Sequence, residues 1–436
     1  TLEGVPAPVL AQVKLSFLDF LSCVHGAFDA PWNAALLAYA RQGCGSGPAG
    51  VLGAAERLPP AEAAFVNSAL AAGASRSDMH PPSVSHPALV IFPTLLALAP
   101  YGRPSGREFL LAALAGYEAM GRIGRALVTR ENSRRFRPTG LCGPVAAALA
   151  GARLLGLDER ASLSAMGIAG NAAGGLMEWA WSGAPDLRHQ PADAARAAVA
   201  AVLFARAGGE GSRSILEGPS GLLATFEGPA ERRGLLAAPW GTPFEIEAIE
   251  YKAVPICVHA QAAAFAALRL LDEGAVEPDA VAALEIATYR TAVDYPGCAR
   301  TAPVGTAQEA RMSIPFAVAS VLALGGLTDR NFAAVGDARI ERLMALTDLH
   351  ADPAMDAAFP ARQQASLRLT LRDGRCRTAR LETLPPFGPP QVRARFREAC
   401  LEDMRIAKRV ADGRTRTEVE PLVGRARVEE LAAMLG

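Results

Sequence analysis

A large all-helical domain joined to a smaller α+β lid, mainly α overall, is the fold class this sequence predicts. Three observations lead there. The chain has 436 residues, too many for one ordinary core. From Pro6 to about Gly228 its apolar residues recur at helical spacing. After about Phe244 apolar and polar residues instead alternate over strand-length spans.

The helical segments follow one another between Gly, Pro and Asp punctuation: "VLAQVKLSFLDFLSCVHGAF", "PAEAAFVNSALAAGAS", "SGREFLLAALAGYEAMGRIGRAL", "GPVAAALAGARLLGLD", "ERASLSAMGIAGNAAGGLMEWAW" and "PADAARAAVAAVLFARAG". Small residues, as from Gly167 to Gly175, let helix backbones approach closely inside a bundle. In the second part "FEIEAIEYKAV", "VAALEIATYR", "ASLRLTLRDG" and "CRTARLETL" read as strands, with "LRDGRC" as a hairpin turn. Helical patterns intervene at Cys257 to Leu271, Ala307 to Leu324 and Arg330 to Leu346. The expected division is a helical domain over 1–243, completed by an amphipathic tail at 393–436, and an α+β lid over 244–392.

Composition narrows function. With 44 Lys+Arg against 44 Asp+Glu, the chain has no net field to attract nucleic acid or an anionic membrane. Seven scattered cysteines without a C-x-x-C pair suggest no disulfide framework, and the expected compartment is the reducing cytoplasm. Thr1 to Leu10 carries no basic segment followed by an apolar run and a cleavage site, so export is not expected. The most apolar runs contain Pro or Arg and fall short of about 18 uninterrupted residues, so they are read as buried helices. There is no phosphate-binding G-x-x-x-x-G-K-[ST], no G-x-G-x-x-G after a strand and no G-x-S-x-G elbow.

Three stretches could carry chemistry. In "SDMHPPSVSHP", Asp78, His80 and His86 lie in a loop that Pro81, Pro82 and Pro87 stiffen, although histidines so placed also serve as helix caps. Zinc is disfavoured by the spacing, and no metal is assigned. In "EYKAVPICVHAQ", Lys252 and His259 flank a strand-to-helix turn, where a cation and free helix N–H groups suit carboxylates; a solvated lysine and a capping histidine are the alternative. In "RRFRPTGLCGPVAAALAG", Arg134, Arg135 and Arg137 precede a helix that Thr139 and Gly140 begin, which reads as an anion cradle or as a solvated basic loop. Cys142 and Cys257 read as small buried residues before nucleophiles.

Together these stretches resemble the MmgE/PrpD family, which includes 2-methylcitrate dehydratase, cis-aconitate decarboxylase and iminodisuccinate epimerase. "HPPSVSHPALVIFPTLLALA", "FRPTGLCGPVAAALAGARLLGLD", "ILEGPSGLLATF", "YKAVPIC" and "ARMSIPFAVASVLALGG" carry the likeness, which extends over nearly the whole chain. The resemblance implies a homodimer, a cofactor-free cleft site, and removal of a proton or carbon dioxide next to a carboxylate of a small di- or tricarboxylate. It makes Asp78, His80, His86 and Lys252 the catalytic candidates, with Arg137, Thr139, His259 and His189 for substrate binding. One of His80 and His86 would remove the α-proton, the other or Lys252 would return one, and Asp78 would orient an imidazole.

Several positions depart from the family pattern. Asp-Asp-Thr reads Ser77-Asp78-Met79, the histidine expected before Pro138 is Arg137, and the tyrosine expected after Ser-Leu-Pro is Phe316. Epimerisation needs only a proton taken and returned, whereas dehydration also needs an acid for the departing hydroxyl. The missing acids therefore favour an epimerase of the iminodisuccinate epimerase type. The alternatives are a hydro-lyase resembling 2-methylcitrate dehydratase, a decarboxylase, and a polycarboxylate binder without turnover.

Overall fold

The computed structural model describes residues 4–399 apart from 29, 242 and 302. Its first part is a bundle of helices: Ala7–Gly26, Pro31–Gly43, Pro60–Gly73, Ala88–Gly102, Gly106–Leu127, Pro138–Leu154, Glu159–Gly170 and His189–Arg206. Local chemistry sets their starts. Proline opens the Pro60 and Pro138 helices, where its missing N–H costs nothing. Ser105 caps the Gly106–Leu127 helix in a reciprocal box with Glu108, whose carboxylate accepts from the Ser105 N–H at 2.7 Å. A two-stranded antiparallel pair, Ala49–Gly50 with Arg57–Leu58, is a small addition to the helical expectation.

The Ala7–Gly26 helix is long and apolar enough to cross a membrane by length and composition, unlike the runs weighed in the sequence. Two-thirds of its most apolar stretch, 67%, is buried in the fold, with Phe17, Phe20 and Leu21 packed into the bundle core.

The second part holds a four-stranded sheet in the order Thr347–Ala351, Val281–Thr288, Ala365–Leu371, Cys376–Leu381. The first pair is parallel and the other two are antiparallel. The turn read in "LRDGRC" is present: Gly374 takes the left-handed conformation at φ 86° and its N–H donates to the Leu371 carbonyl at 2.9 Å. The helix expected at Ala307 to Leu324 is broken at Ser313, whose hydroxyl caps the following Ile314–Leu324 helix at the Phe316 N–H.

"FEIEAIEYKAV" is not a strand. Glu245–Ala248 forms a 3-10 turn that inserts Ile246 and Ile249 into the bundle core, and only Glu250 pairs, in an isolated antiparallel bridge with Met79. Burial of two isoleucines three residues apart produces an alternation that imitates a strand.

Two hydrophobic cores result, and they do not divide at one point in the chain. The bundle core takes Ile246 and Ile249, and also Val392 and Phe396 from the helix at 389–399. The second core takes Met177, Trp179 and Ala180 out of the first half. Of the tail expected to complete the bundle, 400–436 lies outside the described residues.

Candidate active site

The loop between the Pro60–Gly73 and Ala88–Gly102 helices is held on every side. The Met79 N–H donates to the Glu250 carbonyl at 2.9 Å and the Glu250 N–H returns a bond to Met79 at 2.8 Å, which brings Lys252 alongside the histidine loop. The turn Pro81–Ser83 rests on the Gly106–Leu127 helix at Gly124. A Cβ there would stand 2.2 Å from that of Ser83, so only glycine allows this approach. Val84, a β-branched residue, is held at φ 51°, a conformation that costs about 1–3 kcal/mol and persists only where its surroundings enforce it.

A cavity of about 70 Å³ opens between the two cores, lined by Ser75, Ser77, Met79, Val84, His86, Arg137, Trp179, Lys252, Cys257, His259, Tyr295, Gln308 and Arg311, among others. Three of these side chains are cationic, two are imidazoles, and no described lining residue is a carboxylate. The arrangement suits an anion carrying more than one carboxylate.

His86 is held in one tautomer. Its Nδ1 lies 2.6 Å from the Asp78 carbonyl, which can only accept, so Nδ1 carries the proton and Nε2 keeps a basic lone pair. Burial, with Lys252 and Arg137 nearby, pushes its pKa well below the ordinary imidazole value, so the ring is neutral near pH 7. Thr139 Oγ1 accepts the His86 backbone N–H at 3.1 Å. Thr139 is fully buried and positions His86; it does not line the cavity.

Lys252 is 7% exposed, and its ammonium makes one long bond, 3.4 Å, to the Ser75 carbonyl. Burial lowers its pKa to about 8. Arg137 donates to the Leu187 carbonyl and stands over the Trp179 ring at 5.9 Å. Burial lowers it to about 10, so it keeps its charge at neutrality. His259 Nδ1 meets the Tyr289 hydroxyl at 2.9 Å while burial drops its pKa to about 3. Its Nε2 has no hydrogen-bond partner among the described residues, and neither do Trp179 Nε1 and Gln308 Oε1. Such orphans on a cavity wall are groups that a polar ligand would satisfy.

Besides Thr139, three further candidates fall off the cavity wall. His80 is buried with Nδ1 2.7 Å from Ser83 Oγ and Nε2 3.2 Å from Glu245, and it does not line the cavity. Its side chain is buried between the histidine loop and the 245–248 turn, with the Glu245 carboxylate beside Nε2. Asp78 does not orient an imidazole with its carboxylate. Oδ1 accepts the Ala88 N–H at 3.1 Å and Oδ2 the Tyr117 hydroxyl at 2.7 Å, and it is the Asp78 carbonyl that orients His86. His189 lies on the surface, paired with Asp193 at 3.0 Å and edge-on to Phe65 at a ring distance of 4.8 Å.

Arg311, Tyr295, Gln308 and Trp179 line the cavity without having been singled out. Arg311 sits within the "ARMSIPFAVAS" landmark, so position beside a recognised motif was an available signal; Tyr295 and Gln308 carried none. Phe316, where a tyrosine was expected, packs in the second core and is absent from the cavity wall.

Comparison with known proteins agrees with the sequence resemblance. The family model for the MmgE/PrpD N-terminal domain matches residues 1–234, and that for the MmgE/PrpD C-terminal domain matches 254–409. A cis-aconitate decarboxylase of Aspergillus terreus is 31% identical over 221 residues, 49% of this chain and 45% of that protein. The cis-aconitate decarboxylase-like protein oryM of Aspergillus oryzae is 32% identical over 223 residues, 49% of this chain and 46% of that protein. A cis-aconitate decarboxylase of Mus musculus is 27% identical over 360 residues, 78% of this chain and 72% of that protein. The chain therefore spans less than half the length of the fungal relatives it matches.

Proposed function

Because this chain belongs to the MmgE/PrpD family, we propose that it is a lyase that breaks a bond next to a carboxylate of a small di- or tricarboxylate, with decarboxylation as the leading case. The observation that carries this reading is the cavity wall: Arg137, Lys252 and Arg311 without a carboxylate, facing two imidazoles kept neutral. Arginine forks hold carboxylates in fixed orientation, and in a water-poor cleft they stabilise negative charge that spreads into one.

In decarboxylation the C–C bond to the departing carboxylate breaks, carbon dioxide leaves, and the electron pair moves into the remaining unsaturated acid. A proton then completes the product. The Lys252 ammonium, with a pKa of about 8, suits that transfer at neutrality. In the related dehydration His86 Nε2 would take the α-proton, while Lys252 or the Tyr295 hydroxyl, which burial keeps protonated, would serve the departing hydroxyl.

The named relatives support a lyase over the epimerase expected from sequence departures. The argument for an epimerase rested on missing acids. Phe316 lies in the core, and Tyr295, Lys252 and Arg311 supply hydroxyl and cationic groups at the cavity instead. Homodimer assembly is part of the proposal, and analytical ultracentrifugation returning only monomer would contradict it.

Proton NMR in deuterium oxide with cis-aconitate, 2-methylcitrate, citrate and iminodisuccinate in turn tests the reading. The expected result is a new set of vinyl signals with loss of substrate. Stereoisomer conversion without bond cleavage would restore the epimerase, and binding without any exchange or turnover would leave a polycarboxylate binder.

A further inference from the structure

Cys257 caps the 15-residue helix Val258–Asp272 and lies on the cavity wall; Cys298 is fully buried behind it, with the two sulfurs 3.7 Å apart. One short segment holds both backbones. The Cys257 N–H donates to the Arg311 carbonyl at 2.8 Å, and the Cys298 carbonyl accepts the Ile314 N–H at 2.8 Å. The sulfurs therefore meet across a fixed frame. A disulfide requires a separation of about 2.05 Å, so closure asks for about 1.7 Å of combined sulfur movement, within the reach of side-chain rotation and small backbone adjustment.

We propose that Cys257 and Cys298 form an oxidisable dithiol, in which a peroxide converts the active-site wall to a Cys257–Cys298 disulfide and thereby lowers activity reversibly. The Cys257 thiolate attacks one peroxide oxygen, the O–O bond breaks, and a sulfenic acid forms with loss of water. The Cys298 sulfur then displaces that hydroxyl as a second water. Two thiols are oxidised and one peroxide is reduced to two waters. Cys257 is the attacking sulfur because it reaches the cavity, sits at a helix N-terminus and has the Lys252 ammonium nearby. The Cys298 S–H, as donor, and then Lys252 hold its pKa below the ordinary thiol value.

Closure withdraws from Lys252 a sulfur whose charge supports the ammonium, and displaces the residue that starts the His259 helix. Misplacement of catalytic groups by about 1 Å costs about 100-fold in rate, so a loss of that order is expected.

The test treats the purified full chain with hydrogen peroxide, blocks free thiols and maps peptides by mass spectrometry. The expected product is a peptide pair joined between residues 257 and 298, absent from Cys298→Ala and from Cys257→Ser and removed by dithiothreitol. The activity lost with it should return on reduction in the wild type, whereas Cys298→Ala should start with ordinary activity and, having no second sulfur to trap the Cys257 sulfenic acid, should pass on to sulfinic acid, so that dithiothreitol restores less and less activity as peroxide exposure lengthens. Exposed Cys376 serves as the internal gauge of oxidation. Oxidation of Cys376 with no joined 257–298 peptide would overturn the proposal, as would recovery of Cys298→Ala on reduction as complete as that of the wild type after prolonged peroxide exposure. The peptide readout needs no substrate, so its failure is separable from failure of the lyase reading.

Discussion

Asp78→Asn should remove a pH dependence of folding that the buried carboxyl imposes. Burial raises the Asp78 pKa from 3.8 to about 7, against the lowering effect of the Tyr117 hydroxyl. Between those values the folded state binds a proton that the unfolded state releases, so this group's contribution falls as pH rises through the folded pKa. Each pKa unit corresponds to about 1.4 kcal/mol, which makes the mismatch worth roughly 2 kcal/mol at about pH 5 and roughly 4 kcal/mol by about pH 8. The stability of Asp78→Asn relative to wild type should therefore improve by about 2–3 kcal/mol across that interval. Glu118, raised by burial to about 6, does not interact with Asp78 and cancels in the difference, whereas Asp19, also raised to about 6, repels the Asp78 carboxylate, so relief of that pair is part of the difference measured. Urea unfolding of both proteins at the two pH values measures it. A difference independent of pH would refute the assignment of Asp78 as a buried, largely protonated helix anchor.

The other predictions concern the cavity. If the reaction is the dehydration, His86→Gln should lower kcat/KM by about 10²–10⁴-fold, the range for loss of a general acid-base group, with circular dichroism and thermal unfolding little changed; activity within a few-fold of wild type would remove His86 as the base and leave the decarboxylation, in which Lys252 supplies the proton. His189→Ala should leave kcat/KM within about twofold, because the ring is exposed and its partner is Asp193, so a large loss would relocate the site. If the Lys252 ammonium is the working form, kcat/KM should fall as pH rises through about 8, and Lys252→Met should abolish that limb along with most activity; an unchanged limb in residual Lys252→Met activity would assign it to another group.

Much of the fold was legible because burial imprints periodicity. The bundle helices other than Pro31–Gly43 and three of the four strands of the larger sheet follow from apolar spacing, and the turn at Gly374 follows from its residue types. The error at 244–254 came from the same source, since Ile246 and Ile249 are buried by a 3-10 turn. At the site, the "SDMHPPSVSHP" and "EYKAVPICVHAQ" stretches were identifiable as dense in polar groups among apolar helices. The division of labour within them was not, because His80 and His86 differ only in what surrounds them: Ser83 and Glu245 for one, the Asp78 carbonyl and the cavity for the other.

The sequence by itself determined the helical majority, the change of texture near Phe244, and the segments in which polar and charged groups cluster among apolar helices, because those are properties of residue type and spacing along the chain. Only the tertiary structure decided that Lys252 stands beside His86, that Arg311 and Tyr295 join them, that His80 and His189 do not, and that Cys298 lies behind Cys257. Tautomer, shifted pKa and shared cavity walls depend on groups distant in sequence brought within a few ångströms, and chain-local patterns do not encode those distances.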